Sequence, residues 1–109
     1  MAATGITDLP APGDFVRFNP DFGTRFLLTV DTEEEFDWTQ PIARAGHTVH
    51  SIARLAKFQE FCEAQGVCPV YLVDYPIATS PAAGDILRGA IAEGKAEIGV
   101  QLHPWVSPP

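Results

Sequence analysis

Along the chain, short runs of consecutive apolar residues alternate with longer stretches in which apolar residues recur every three or four positions, the pattern of strands and helices taking turns. Phe26 to Val30 is almost continuously apolar, as expected of a strand covered on both faces. From about Val49 to Gln65, the residues Val49, Ile52, Leu55, Phe58 and Phe61 with Cys62 fall at helical steps. Arg54, Lys57, Glu60 and Glu63 take the opposite side, and Gly66 supplies the left-handed residue that ends such a helix. Val70 to Val73 predicts a second strand, followed by a loop of Asp74, Tyr75 and Pro76. Ser80 and Pro81 then read as the N-cap and first turn of a second helix, with Ile86, Leu87, Ala90 and Ile91 facing inward and a stop at Gly94. A third strand is expected from about Ala96 to Leu102. The order β-α-β-α-β, with right-handed crossovers, predicts an α/β fold with three parallel strands and helices packed against them.

Parallel strands bring their carboxyl ends to one rim, and the loops there reach substrate while the strand interiors stay buried. The first strand runs into Asp31, Glu33, Glu34, Glu35 and Asp37, interleaved with Phe36 and Trp38; the second ends at Asp74 and Tyr75; the third ends at His103 and Trp105. The layout resembles an active-site mouth. Before it, positions 1–24 show little apolar periodicity and are broken by Pro10, Pro12, Gly13, Pro20 and Gly23, so they are expected to form an irregular surface leader ahead of a domain over 25–109.

Bulk properties narrow the choice of partner. A chain of 109 residues that is 46% hydrophobic supports one modest core. Its net charge of −7 opposes nucleic acid or an anionic membrane, because the seven Lys and Arg residues are scattered rather than gathered into a patch. No apolar run is long enough to cross a bilayer, and no basic segment precedes an apolar one as in a signal peptide, so a soluble, cytoplasmic protein is expected. Cys62 and Cys68 fit neither a zinc-type pair of pairs nor a disulfide framework, and read as two half-buried thiols.

A carboxylate at one strand end, a second acid two residues on and an imidazole at another strand end suit a single divalent metal beside a general base. Asp31 is the expected catalytic base, and Glu33 and His103 are the expected metal ligands, with zinc the leading metal. Glu34 and Glu35, and Asp37 with them, read as a solvated acidic loop. His47 and His50, three apart ahead of the first helix, are reserve ligands with a surface role expected. Trp38, Tyr75 and Trp105 fall in loops on the expected rim, where aromatic faces either stack on a substrate ring or, as aromatics more often do, cover the core, and Asp74 is a candidate substrate contact beside Tyr75.

Three ordered blocks carry a family resemblance: Val30, Asp31, Thr32 and Glu33; Gly66 and Val67 with Pro69 to Val73; and Ala96 to Trp105 with its Glu97, Ile98, Gly99 and His103. Over about residues 25–109 the chain resembles the amino-terminal part of polysaccharide deacetylases, the nodulation-protein-like enzymes of carbohydrate esterase family four. The resemblance implies an irregular (β/α) barrel and a hydrolase acting on carbon–nitrogen, non-peptide bonds, which removes acetyl groups from carbohydrate with a metal-activated water. It also implies Asp31 as base, Glu33 as acidic ligand and His103 as imidazole ligand. Two positions depart from the family pattern. Thr32 stands where a metal-binding aspartate is commonest, and Gln101 where a first histidine often falls. A barrel needs about 200 residues, so a truncated portion of one is expected, with an exposed sheet edge open to self-association. A non-catalytic carbohydrate-binding or scaffold relative, or an inactive fragment, stays open beside the enzyme.

Overall fold

The computed structural model describes residue 5 and residues 7–108. The parts of the expected leader at 1–4 and 6, and the last position of the expected domain, 109, lie outside the described residues. Three parallel strands, β1 (Thr29–Thr32), β2 (Val70–Val73) and β3 (Glu97–Val100), form one sheet in the order β1-β2-β3. Between β1 and β2 run a 3₁₀ turn (His50–Arg54) and helix α1 (Leu55–Ala64). Between β2 and β3 run α2 (Tyr75–Ala78) and α3 (Pro81–Ala92). Ahead of β1, the described chain forms two short 3₁₀ turns, Pro12–Asp14 and Pro20–Phe22, and its side chains are exposed.

β1 lies three residues further along than its apolar run predicts. Thr29 pairs with Val70 and Thr32 with Val73, and pairing starts where Val70 N–H donates to the Leu28 carbonyl at 2.9 Å. Phe26 is 81% exposed and Leu27 70%. Hydrophobicity alone gave that run strand character; the position of β2 decides which residues pair. Phe26 and Leu28 instead line an apolar cleft with Phe58, Phe61 and Val67. Phe61 is therefore exposed at its rim rather than in the core.

Register divides each strand into two faces. Val30, Tyr71 and Ile98 share one rung, and Thr32, Val73 and Val100 share another on the same side. Tyr71 and Val73 there meet Ile52, Ile77, Ala83, Leu87, Ala90 and Ala96 in the core. Ile91 and Ile98 sit towards its exposed margin. The other face carries Asp31, Leu72 and Gly99 on one rung. A Cβ at Gly99 would collide with Leu72 Cδ2, so glycine there makes room for the central strand's side chain.

Local chemistry explains the breaks. Asp74 accepts from Ile77 N–H at 3.0 Å as an N-cap, and Pro76 sits in the first turn, so the expected loop becomes the short helix α2. Gly66 and Gly94 take positive φ (66° and 67°) just past α1 and α3, the conformation that costs glycine least. Cys62 is buried and Cys68 exposed, both as free thiols, so the expected half-buried pair divides into one inner and one outer cysteine.

One polar group sits deep in the core. Tyr71 is 0% exposed and donates its hydroxyl to Gln59 Oε1 at 2.7 Å, while Gln59 Nε2 donates to the Lys95 carbonyl at 3.1 Å. This chain ties β2 to α1 and to the turn before β3, and explains why a glutamine occupies a buried helical position. Burial, then the nearby Cys62 and Glu63, pushes the Tyr71 hydroxyl up from 10.0 to about 12. The hydroxyl holds its proton more tightly folded than unfolded, so its contribution to stability is complete below pH 10.0 and drains away as pH rises to about 12. Tyr71→Phe is expected to cost about 1–2 kcal/mol at neutral pH by leaving Gln59 Oε1 without its donor. The same substitution should flatten the alkaline limb of stability, both effects being read from urea midpoints at unchanged slope.

Candidate functional site

At the carboxyl ends of the strands the chain gathers Glu33 and Glu34 after β1, Asp74 after β2, and Gln101, His103 and Trp105 after β3. Continued pairing holds the three exits in place. Asp74 N–H donates to the Thr32 carbonyl at 3.3 Å, and Gln101 N–H to the Val73 carbonyl at 2.9 Å.

Glu34 is the pivot of this cluster. Its side chain is buried, following Val30 and Thr32 inward at two-residue steps. Its backbone N–H donates to Asp74 Oδ2 at 3.0 Å. Its carboxylate accepts on both oxygens: from Trp105 Nε1 at 2.8 Å on Oε1, and from His103 Nδ1, 2.9 Å away, on Oε2. Burial pushes its pKa up, but the hydrogen bonds from Asp74, His103 and Trp105 outweigh that and bring it down from 4.5 to about 2. Asp74 moves the opposite way: burial and the neighbouring Glu34 carboxylate raise it above its ordinary value. Glu34 therefore carries the negative charge of the pair and Asp74 holds a proton more readily.

These contacts set the form of His103. Nδ1 faces the Glu34 carboxylate and so carries hydrogen. Nε2 faces the side-chain amide of Gln101 at 2.7 Å, and the same Gln101 nitrogen also bonds Glu33 Oε2. A carbonyl oxygen turned toward the Glu33 carboxylate would be repelled, so the amide presents its NH₂ group to both Glu33 Oε2 and His103 Nε2. The ring also stacks on Trp105, with centroids 4.6 Å apart and planes at 22°. Trp38 meets Trp105 edge to face at 6.3 Å and stands 66% exposed.

The residues expected to act fall as follows. Glu33, Asp74, His103 and Trp105 come together, with Trp38 against Trp105. Asp31 lies inside β1 rather than after it, because the strand starts late. It is exposed, shares the sheet face of Glu33 two residues on, and lines a cleft of about 290 Å³ with Glu33, Glu34, Glu35 and Ser51. Tyr75 is the first residue of α2 and 46% exposed. Glu35 serves local structure: its carboxylate accepts from Thr48 Oγ1 and from the N–H of Ser51 in the 3₁₀ turn that leads into α1. Of the reserve ligands, His47 is half-buried ahead of Thr48 and His50 begins that turn. Neither belongs to the metal-capable group found among the described residues.

That group is Glu34, Asp74 and His103, whose ligand atoms lie within 4.8 Å of one another. Both Glu34 oxygens already hold N–H donors, and Asp74 holds the N–H groups of Glu34 and Ile77. A cation among them would displace buried hydrogen bonds. Glu33 Oε2 and His103 Nε2, which share the Gln101 amide, form a second pair of donor atoms outside that group. They are 3.4 Å apart, close to the ~3.4 Å expected for tetrahedral oxygen and nitrogen ligands on zinc. On the far side of the ring, Glu34 fixes the orientation of the imidazole through Nδ1. No protein family, curated protein or solved structure matches this chain.

Glu34→Gln removes the buried charged acceptor shared by two half-buried donors and is expected to cost about 2–3 kcal/mol at neutral pH. Urea unfolding measures that loss, and ¹⁵N spectra should show the Nδ1–H form of His103 in the unsubstituted protein and a mixture of tautomers in the variant. The acid limb should change as well. Glu34 stabilises the fold above pH 4.5 and loses that effect as pH falls to about 2, whereas Asp74 favours the fold more at low pH. The substitution should leave a shallower acid decline.

Proposed function

We propose that this chain is a metal-dependent polysaccharide deacetylase-like hydrolase that cleaves the carbon–nitrogen bond of acetamido groups on carbohydrate. The observation that carries this reading is the pairing of Glu33 Oε2 with His103 Nε2 at metal-chelating distance, with Glu34 holding the far side of the imidazole. Two strand ends distant in sequence meet there with the residue types that the three sequence blocks lead one to expect. The sheet order gives further support. Sequential parallel strands with packed helices between them are how a sector of a (β/α) barrel is built, and in such barrels chemistry sits at the carboxyl ends.

In this reading Glu33 and His103 would hold a divalent ion, zinc being the leading candidate. The ion would supply Lewis-acid polarisation of the acetyl carbonyl and acidify a water. Asp31, exposed on the face it shares with Glu33, accepts the proton of the attacking water. Glu34 holds the hydrogen on Nδ1 and keeps Nε2 pointed at Glu33, and Trp105 blocks ring rotation by stacking. The exposed indole of Trp38 offers a flat apolar surface to a sugar ring.

Gln101 favours a second reading, in which the chain is a carbohydrate-binding relative without metal, because its amide already satisfies both Glu33 and His103. Stoichiometric metal in the purified protein separates the two. For the enzyme reading, Asp31→Asn is expected to lower deacetylation of an N-acetylated oligosaccharide by about 10²–10⁴-fold with folding intact. Full activity in that variant would refute the assignment.

A further inference from the structure

We propose that Gln101 is an internal gate on metal entry: its side-chain NH₂ occupies the space between Glu33 and His103 that a cation would take, and a metal binds only when this amide swings away. The inference rests on the reading of Glu33 and His103 as a donor pair. The Gln101 nitrogen bonds Glu33 Oε2 and lies 2.7 Å from His103 Nε2, while those two atoms are 3.4 Å from each other. An ion held by both would need the lone pairs of Glu33 Oε2 and His103 Nε2 that the amide now occupies. The NH₂ group imitates the cation electrostatically. It brings two N–H donors to the same two lone pairs and cancels part of the charge of Glu33.

The backbone of Gln101 cannot retreat readily, since its N–H is bonded to the Val73 carbonyl at 2.9 Å at the end of the central strand. Opening must therefore come from side-chain rotation, with loss of both amide hydrogen bonds. A site competent only in the rotated minority binds more weakly in proportion to that minority. Gln101 has no like effect on Glu34, whose two carboxylate oxygens are held by His103 and Trp105. The gate thus lies on the metal side of the imidazole, and the scaffold lies on the other.

Cobalt and zinc titrations by calorimetry, with the visible absorption of bound cobalt as a second readout, test this on the whole chain as unsubstituted protein, Gln101→Ala, Gln101→Asn and Gln101→Ala/His103→Ala. Near-ultraviolet dichroism from Trp38 and Trp105 confirms folding of each. Gln101→Ala is expected to bind about ten- to a hundredfold more tightly than the unsubstituted chain. Gln101→Asn, too short to span both donors, should fall between, and the double variant should lose the gain. Without metal, Gln101→Ala should move the His103 Nε2 resonance and leave Nδ1 in place. Weaker binding by Gln101→Ala would overturn the gate and make Gln101 a ligand through Oε1. Equal binding, or an unmoved Nε2 resonance, would overturn it too; in these cases the deacetylase reading stands if the unsubstituted chain binds metal. No binding by any variant overturns both. Tight binding by Gln101→Ala without hydrolysis by the unsubstituted protein leaves the gate and removes the enzyme.

Discussion

The arrangement at the strand ends depends on the buried carboxylate of Glu34. Three pieces of chain separated widely in sequence meet on it: its own backbone N–H reaches Asp74 after β2, and its two oxygens receive His103 and Trp105 after β3. A buried charge is costly unless its lone pairs are matched with donors. Here the matching donors are groups whose positions the site needs fixed. The cost of burying the charge thus becomes a constraint on geometry, since any displacement of the loop after β3 would strand an anion beneath the surface. Asp74 completes the balance by taking the more protonated share of an otherwise repulsive carboxyl pair, and caps α2 with its other oxygen.

The fold was readable where pattern and pairing agree. β2 and the α3 stop at Gly94 follow from apolar runs and turn residues, because both lie where burial and local preference point the same way. β1 was misplaced because Phe26, Leu27 and Leu28 look more strand-like than Thr29, Asp31 and Thr32. Apolar content does not encode the register against a partner strand. Hydropathy points Phe61 inward and Gln59 outward, but the α1 face that meets Tyr71 is chosen by a hydrogen bond, which hydropathy does not register.

The site was half legible. Asp74, His103 and Trp105 stood out as polar or aromatic residues just after apolar runs, and Glu33 as an acid spaced from Asp31 by one strand period. Glu34 disappeared in a run of three acids, where a solvated loop is the ordinary outcome. The signal that separates it from Glu35 is alternation: Val30, Thr32 and Glu34 keep the same side of the chain, and that side is the inner one. Gln101 was marked by its position, but its link to both Glu33 and His103 is a three-dimensional fact that spacing alone does not contain.

The stacking of Trp105 on His103 has an optical consequence. An indole with its N–H fixed to a carboxylate and its face against an imidazole, at 4.6 Å between ring centres, has an excited state coupled to the charge of its neighbour. Whatever changes the electron density of that imidazole changes the emission of Trp105 at the same moment. The chain therefore carries its own fluorophore in direct contact with that imidazole.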